Sequence, residues 1–109
     1  MLPAAVPGVN TTDNDRRPTI RNDGLEMIFE TNRSGSLYGG HNLWSATRTS
    51  VLDDFGLTVP EDRINSDQEE ARPSLNGDGT ELYFTSNRIG SLGNNNDIYR
   101  TQRDFGDQQ

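Results

Sequence analysis

The sequence predicts an all-β protein built from two copies of one structural unit, and three observations predict this class. The chain aligns with itself at an offset of 55 positions, so that residues 10–48 match 65–103 without a gap and one third of the aligned pairs are identical. Asp-Gly dipeptides, which favour β-hairpin turns, stand at equivalent places, 23–24 and 78–79. Only 29% of the residues are hydrophobic, and no segment shows a helical period. Repeated units with so few apolar residues bury their apolar faces by stacking on neighbours.

The second copy predicts three strands in succession. Residues 72–75 form a short extended segment, residues 76–79 (NGDG) supply a hairpin turn, and residues 81–85 form the returning strand. The polar loop over 86–96 is too rich in Gly and Asn to be a helix, and it leads into the third strand at 97–101.

The first copy repeats this order. Its strands are predicted at 17–20, 25–31 and 42–49, with a turn at 21–24 and a polar loop over 32–41. Each copy is therefore expected to form an antiparallel sheet with a hairpin between its first two strands.

A fourth strand is predicted at 57–64, between the two copies, and its Pro60 restricts it to an edge position. A similar segment stands at the amino terminus, at residues 2–9, where Val6-Pro7 matches Val59-Pro60. No such segment follows the second copy. The repeat is therefore circularly shifted, with a lone fourth strand first and a three-stranded unit last.

These motifs resemble the TolB-like β-propeller repeat, which runs as Pro-x-hydrophobic-x-x-Asp-Gly, a strand ending in Phe, Ser-Asn-Arg-x-Gly, a Gly-rich loop and Asp-Ile-Tyr. The second copy matches it at 73–79 (PSLNGDG), 82–84 (LYF), 86–90 (SNRIG) and 97–99 (DIY). The first copy departs from the motif at Thr31, Asn42, Leu43 and Trp44.

The resemblance implies a single domain, 1–109, with two four-stranded propeller blades, blade one at about 16–65 and blade two at about 71–109. Members of the family are usually six-bladed, so three chains would close one ring as a homotrimer. Strand 2–9 of one chain would then complete the last blade of its neighbour. Dimers of four blades, tetramers of eight, and a fragment of a longer propeller are the alternatives.

Composition excludes several classes of function. A net charge of −7 repels nucleic acid, and no apolar run is long enough to cross a membrane. The absence of Cys excludes disulfides, thiolate zinc sites and a Cys nucleophile. The start of the chain lacks the features of a signal peptide, which makes the cytoplasm the default expectation, whereas the family resemblance points to the periplasm.

Catalytic residues, metals and cofactors are not expected. His41 is the only His. A Ser-His-Asp triad would have to use this residue, and one chain cannot supply several His ligands to a zinc site. The Asp-Gly turns do not fit the spacing of an EF-hand calcium loop. Paired carboxylates such as Glu69-Glu70 are read as solvated loop charges, and a hydrolase that uses channel carboxylates is kept as an alternative.

Candidate binding residues precede the innermost strand of each blade, the strand that lines the channel of a propeller. Three copies would place guanidinium and carboxylate groups around one axis, which suits a polar or anionic ligand, while ion pairing among these groups is the alternative. Two aromatic residues are further candidates, although core packing also explains Trp44. The candidate ligand-binding residues are Arg16, Arg17, Glu70, Arg72, Tyr38 and Trp44.

The sequence thus predicts a non-catalytic binding or scaffolding module. Its expected partners are further copies of itself and a protein or a small polar ligand, with no nucleic acid and no membrane. A lectin-like propeller that binds carbohydrate is the first alternative function, and the channel hydrolase is the second.

Overall fold

The computed structural model describes residues 2–88, 90 and 96–102, and every regular element in them is a β-strand. The prediction of an all-β class is confirmed. The strands are β1 (Asp15–Ile20), β2 (Glu26–Thr31), β3 (Asn42–Thr47), β4 (Leu57–Pro60), β5 (Glu70–Leu75), β6 (Glu81–Ser86) and β7 (Asp97–Gln102).

The strands form two antiparallel sheets, one for each copy of the repeat. Sheet one has the order β1-β2-β3-β4, and sheet two has the order β5-β6-β7. Each sheet is a meander, because every strand pairs with the next along the chain. In the described part of the chain β7 is paired on one side only.

The two predicted hairpin turns are present and have the same geometry. Gly24 and Gly79 adopt φ values of 75° and 77°, which a residue with a Cβ rarely adopts. Their amides donate to the carbonyl oxygens of Arg21 and Asn76 at 2.8 and 3.0 Å. The repeated Asp-Gly dipeptide therefore sets the connection between the first two strands of each sheet.

The predicted fourth strand is wrong at its carboxyl end. β4 stops at Pro60, and the chain then turns, with the Ile64 amide donating to the Glu61 carbonyl oxygen at 2.9 Å. Pro60 does lie on the edge strand, as expected. Residues 2–9 form no strand within the single chain, and a turn occupies 7–9. Their pairing with a neighbouring chain stays a prediction.

Two apolar clusters hold the sheets. Sheet one is covered on its outer face by the segment before β1 and by the loop before β4, and its other face packs on sheet two. The first cluster contains Val9, Phe29, Trp44, Ala46 and Phe55. The second, between the sheets, contains Ile28, Leu43, Leu82 and Phe84, with Ile64, Leu75 and Tyr99 against it.

Candidate functional site

The first strands of the two sheets, β1 and β5, bring three of the predicted site residues to one carboxylate. The side chain of Glu30 on β2 is fully buried. It accepts from Arg16 Nε at 2.6 Å and from Arg17 Nη1 at 3.2 Å, and the main-chain amide of Arg72 on β5 donates to it at 2.9 Å. The group of Arg16, Arg17, Arg72 and Glu30 is called the inner-strand cluster below.

Two arginines of this cluster have unusual backbone conformations. Arg17 and Arg72 are repeat equivalents, and they are the described non-glycine residues with positive φ, at 53° and 50°. Each lies where the pairing register of its strand shifts at a bulge, and each precedes a proline. The left-handed conformation costs an ordinary residue about 1–2 kcal/mol. Such strain concentrates at functional sites, where the surrounding structure maintains it.

The electrostatics of the cluster favour an added anion. Burial opposes ionisation of Glu30, but hydrogen bonds from the Arg72 amide and from Arg16 and Arg17 outweigh it and hold the pKa of Glu30 below its ordinary value. The one carboxylate is thus ionised and bonded to two guanidinium groups, those of Arg16 and Arg17. Arg72 is exposed, and its guanidinium has no hydrogen bond or ion pair among the described residues. A local positive excess therefore stands in a chain of net charge −7.

Glu70, another predicted site residue, connects two parts of the fold through its hydrogen bonds. Its side chain is fully buried, and it accepts from the Ser66 amide at 2.9 Å, from the Ser66 hydroxyl at 2.6 Å and from the Ser86 hydroxyl at 2.8 Å. Arg88 lies 3.5 Å away. These bonds tie the segment before β5 to the end of β6 and leave Glu70 out of contact with solvent.

The same arrangement recurs in sheet one, so it belongs to the repeat. Asp15 accepts from the Thr11 amide and hydroxyl, from the Thr31 hydroxyl at 2.7 Å and from Arg33 at 2.8 Å. Burial opposes ionisation of Asp15, yet the hydrogen bonds from Thr11, Arg33 and Thr31 prevail and lower its pKa to about 2. We call the two arrangements the Asp15 clasp and the Glu70 clasp.

Each clasp ends in an arginine stacked on core aromatic rings. The guanidinium of Arg33 lies 5.0 Å from the Phe29 ring centre and 5.2 Å from that of Trp44. The equivalent Arg88 lies 5.4 Å from Phe84 and 5.0 Å from Tyr99. Both arginines also bond to a main-chain carbonyl of the segment that precedes the sheet. Each guanidinium group thus makes hydrogen bonds and cation–π contacts at the same time.

The two predicted aromatic site residues have different environments. Trp44 is buried in the core of sheet one, against Phe29 and Val9, which agrees with the packing explanation of this residue. Tyr38 is half-buried in the loop between β2 and β3, and its carbonyl accepts from Asn42 at 2.8 Å. Neither aromatic belongs to the inner-strand cluster.

A concave surface, separate from the inner-strand cluster, lies between the two sheets. This cleft has a volume of about 610 Å³ and is lined by charged and aliphatic side chains, among them Arg48, Glu61, Arg63 and Leu82. Tyr38 and Trp44 do not line it. Neither of the two aromatic candidates therefore contributes to this cleft.

Metal ligands are not grouped in the described ranges. No set of three His, Asp or Glu side chains there is placed to hold an ion. His41 Nδ1 lies 3.5 Å from a Glu69 carboxylate oxygen, and its Nε2 has no hydrogen-bond partner among described atoms. The described residues also contain no helix able to span a membrane.

Glu30 is the main site residue that sequence reasoning missed. Its repeat equivalent is Thr85, so the alignment of the copies gave it no weight. The available signal was a Glu directly after the apolar run at 27–29 in the β2 sequence EMIFET, where a buried carboxylate requires cationic partners.

The fold and the site define a small all-β protein with two stacked antiparallel sheets and a cluster of arginines on their first strands, β1 and β5. No protein-family model and no curated protein matches the chain. Assignment of a function therefore rests on the residues and their geometry.

Proposed function

We propose that the chain is a subunit of a six-bladed β-propeller of the TolB-like type, that three copies close the ring, and that the ring is a non-catalytic binding module for an anionic ligand. The two stacked sheets are then neighbouring blades. The resemblance of the repeat to TolB-like motifs supports this reading, as does the similarity of residues 2–9 to the segment that contains β4.

A difference in exposure between equivalent residues carries the proposal of a ring. Ile28 and Leu43 of sheet one are 1% and 0% exposed, because sheet two covers them. Their equivalents in sheet two, Tyr83 and Ile98, are 40% and 78% exposed. The repeat thus places apolar side chains on the same face of both sheets. In sheet one this face is covered by the next sheet along the chain. A further copy of sheet one on this face would bury them.

The inner-strand cluster supports the proposed ligand class. In a propeller the first strand of each blade faces the central channel, so three chains would contribute three sets of Arg16, Arg17 and Arg72 around one axis. Three Glu30 carboxylates neutralise only part of that charge. Guanidinium groups bind carboxylates and phosphates through paired hydrogen bonds, which suits a multiply charged anion.

Citrate is a suitable probe because it carries several carboxylates. Isothermal titration should show citrate binding that weakens at least about fivefold in Arg72→Gln, which removes the guanidinium without touching the bonds to Glu30. Arg63→Gln is the matched control, because Arg63 is exposed and lies in the cleft away from the cluster. Equal weakening by both substitutions would mean non-specific charge attraction, and no binding to the wild type would contradict the proposed ligand class.

The carbohydrate-binding alternative rests on the cleft between the sheets. Its volume of about 610 Å³ can hold a small polar ligand, and Arg63 and Glu61 supply a donor and an acceptor at its wall. Binding on a glycan array that is lost in Arg63→Gln and kept in Arg72→Gln would favour this alternative over the anion site.

The hydrolase alternative has less support. A general acid needs a raised pKa, whereas the pKa values of Glu30 and Asp15 are lowered by their hydrogen bonds.

A further inference from the structure

We propose that the side-chain amide of Asn10 binds the main chain of Ile98 in a second copy of the chain, and thereby holds residues 2–5 in one defined register beside the edge of β7 that no described strand occupies. This inference rests on the proposed ring and specifies how its subunits are joined.

The template for this contact exists inside the chain. Asn65 lies in the connector that follows β4, and it is buried. Its Oδ1 accepts from the Leu43 amide at 2.8 Å, and its Nδ2 donates to the Leu43 carbonyl oxygen at 3.0 Å. The Asn65 side chain thus makes the two hydrogen bonds to Leu43 that a residue of a neighbouring strand would make, and it fixes the connector to β3.

The repeat reproduces both halves of this contact on opposite ends of the chain. Asn10 is the equivalent of Asn65, and Ile98 is the equivalent of Leu43. Asn10 is exposed, and its Nδ2 makes a hydrogen bond of 3.4 Å to the Val6 carbonyl oxygen. Ile98 lies on β7, whose other side is unpaired in the described residues. The two groups are therefore free to meet in different chains.

The segment around Asn10 shares two features with the internal connector, although Gly8 has a φ of 82° where its equivalent Arg63 has no positive φ. A turn at 7–9 corresponds to the turn at 62–64. Arg33 Nη2 donates to the Val9 carbonyl oxygen at 2.5 Å, just as Arg88 Nη2 donates to that of Ile64 at 2.7 Å. The amino-terminal segment is thus anchored to sheet one as the internal connector is anchored to sheet two, and residues 2–6 pair with no described strand of their own chain.

The observed pairing of β3 with β4 fixes the register. Ala46 pairs with Thr58 in sheet one, which places Pro3 of one chain opposite Thr101 of the other. This register differs by two residues from the sequence match of Val6-Pro7 to Val59-Pro60. When the turns at 7–9 and 62–64 are aligned, the equivalent of Val6 is Glu61.

Proline is compatible with this register. The Glu61 amide bonds to the Leu43 carbonyl oxygen, and hydrogen-bonded positions alternate along an antiparallel pair. The amides at positions 58 and 60 therefore point away from β3, which is why Pro60 is tolerated. Pro3, at the place of Thr58, loses no bond to the neighbouring strand.

Disulfide trapping tests the register, since the chain has no Cys of its own. The double variant Pro3→Cys with Thr101→Cys should form an intermolecular disulfide on mild oxidation. The control, Ala5→Cys with Thr101→Cys, tests the register shifted by two residues. Its Cα atoms would be too far apart in the proposed register, because a disulfide requires about 4.4–6.8 Å. Preferential cross-linking of the control, or of neither pair in an intact oligomer, would overturn the proposal.

A matched pair of Asn variants tests the amide contact. Asn10→Ala should raise the dissociation constant of the oligomer at least about tenfold, because two hydrogen bonds are lost, and leave the unfolding midpoint of the dissociated chain unchanged. Asn65→Ala should lower that midpoint. An oligomer unaffected by Asn10→Ala refutes the Asn10 contact and leaves the ring standing, whereas a wild-type monomer at all concentrations refutes both.

Discussion

Arg33 Nη2 donates a hydrogen bond of 2.5 Å to the carbonyl oxygen of Val9, and this bond anchors the amino-terminal segment to sheet one. Arg88 anchors the connector between the sheets in the same way. The repeat therefore uses one arginine per copy to fix the path of the chain into each sheet, and this relationship has consequences for stability.

Arg33→Lys and Arg88→Lys should each lower the free energy of unfolding by about 1–3 kcal/mol. Lysine keeps the charge but cannot reach the carboxylate, the carbonyl and the aromatic rings with one planar group. Denaturant titration measures both effects. Arg33→Lys should also weaken subunit association, since it loosens the amino-terminal connector, and Arg63→Lys serves as the control. Stabilities equal to that of the control would show that the clasps do not hold the sheets.

The Asp15 clasp predicts a loss of stability in acid. The pKa of Asp15 is about 2 in the folded chain against an ordinary 3.8, so its contribution is complete above pH 4 and is lost as the pH falls towards 2. Asp15→Asn should be less stable at neutral pH and show a smaller decrease over this range. Asp13→Asn removes the same charge from an exposed residue. Parallel pH profiles for wild type and Asp15→Asn would contradict the prediction.

Substitutions at Arg72 distinguish the effect of backbone strain on stability from the effect of the guanidinium on ligand binding. Arg72→Gly should be more stable than Arg72→Ala by about 0.5–1 kcal/mol, because glycine relieves the left-handed strain and loses part of that gain in backbone entropy. Both variants lack the guanidinium and should lose citrate binding equally. Thermal unfolding and titration of the two proteins supply the comparison. If alanine is as stable as glycine, position 72 is not strained.

The two aromatic site candidates should differ in what they cost when truncated. Trp44→Ala opens a cavity in the core of sheet one and should lower the free energy of unfolding by about 3–5 kcal/mol. Tyr38→Ala alters a half-buried loop residue and should cost less than about 1 kcal/mol. Loss of ligand binding in a folded Tyr38→Ala protein would restore Tyr38 as a binding residue.

Local chemistry made much of the fold predictable from sequence. Gly24 and Gly79 mark turns because few other residues adopt their φ, and the strands between them follow from the polar boundaries. The end of β4 was mispredicted, because the bonds from Asn65 to Leu43 compete with further strand pairing, and that competition depends on tertiary contacts.

The site was predictable only in part. Arg16, Arg17 and Arg72 were found because they stand at the start of the first strand of each copy, where they lie within β1 and β5, but their common partner Glu30 has no carboxylate equivalent in the second copy. The structural role of Glu70 was concealed because its repeat partner is Asp15, which is similar but not identical. A repeated pattern of hydroxyl, acid, hydroxyl and arginine, at Thr11 and Ser66 onward, was the signal available.

The solution mass tests the central claim most directly. The chain has a mass of 12.1 kDa, so light scattering coupled to size exclusion should give about 36 kDa for three copies in a closed ring. Deletion of residues 2–10 should abolish this species. A folded wild-type protein that stays at the mass of one chain at every concentration would contradict the ring and the exposed face assigned to it.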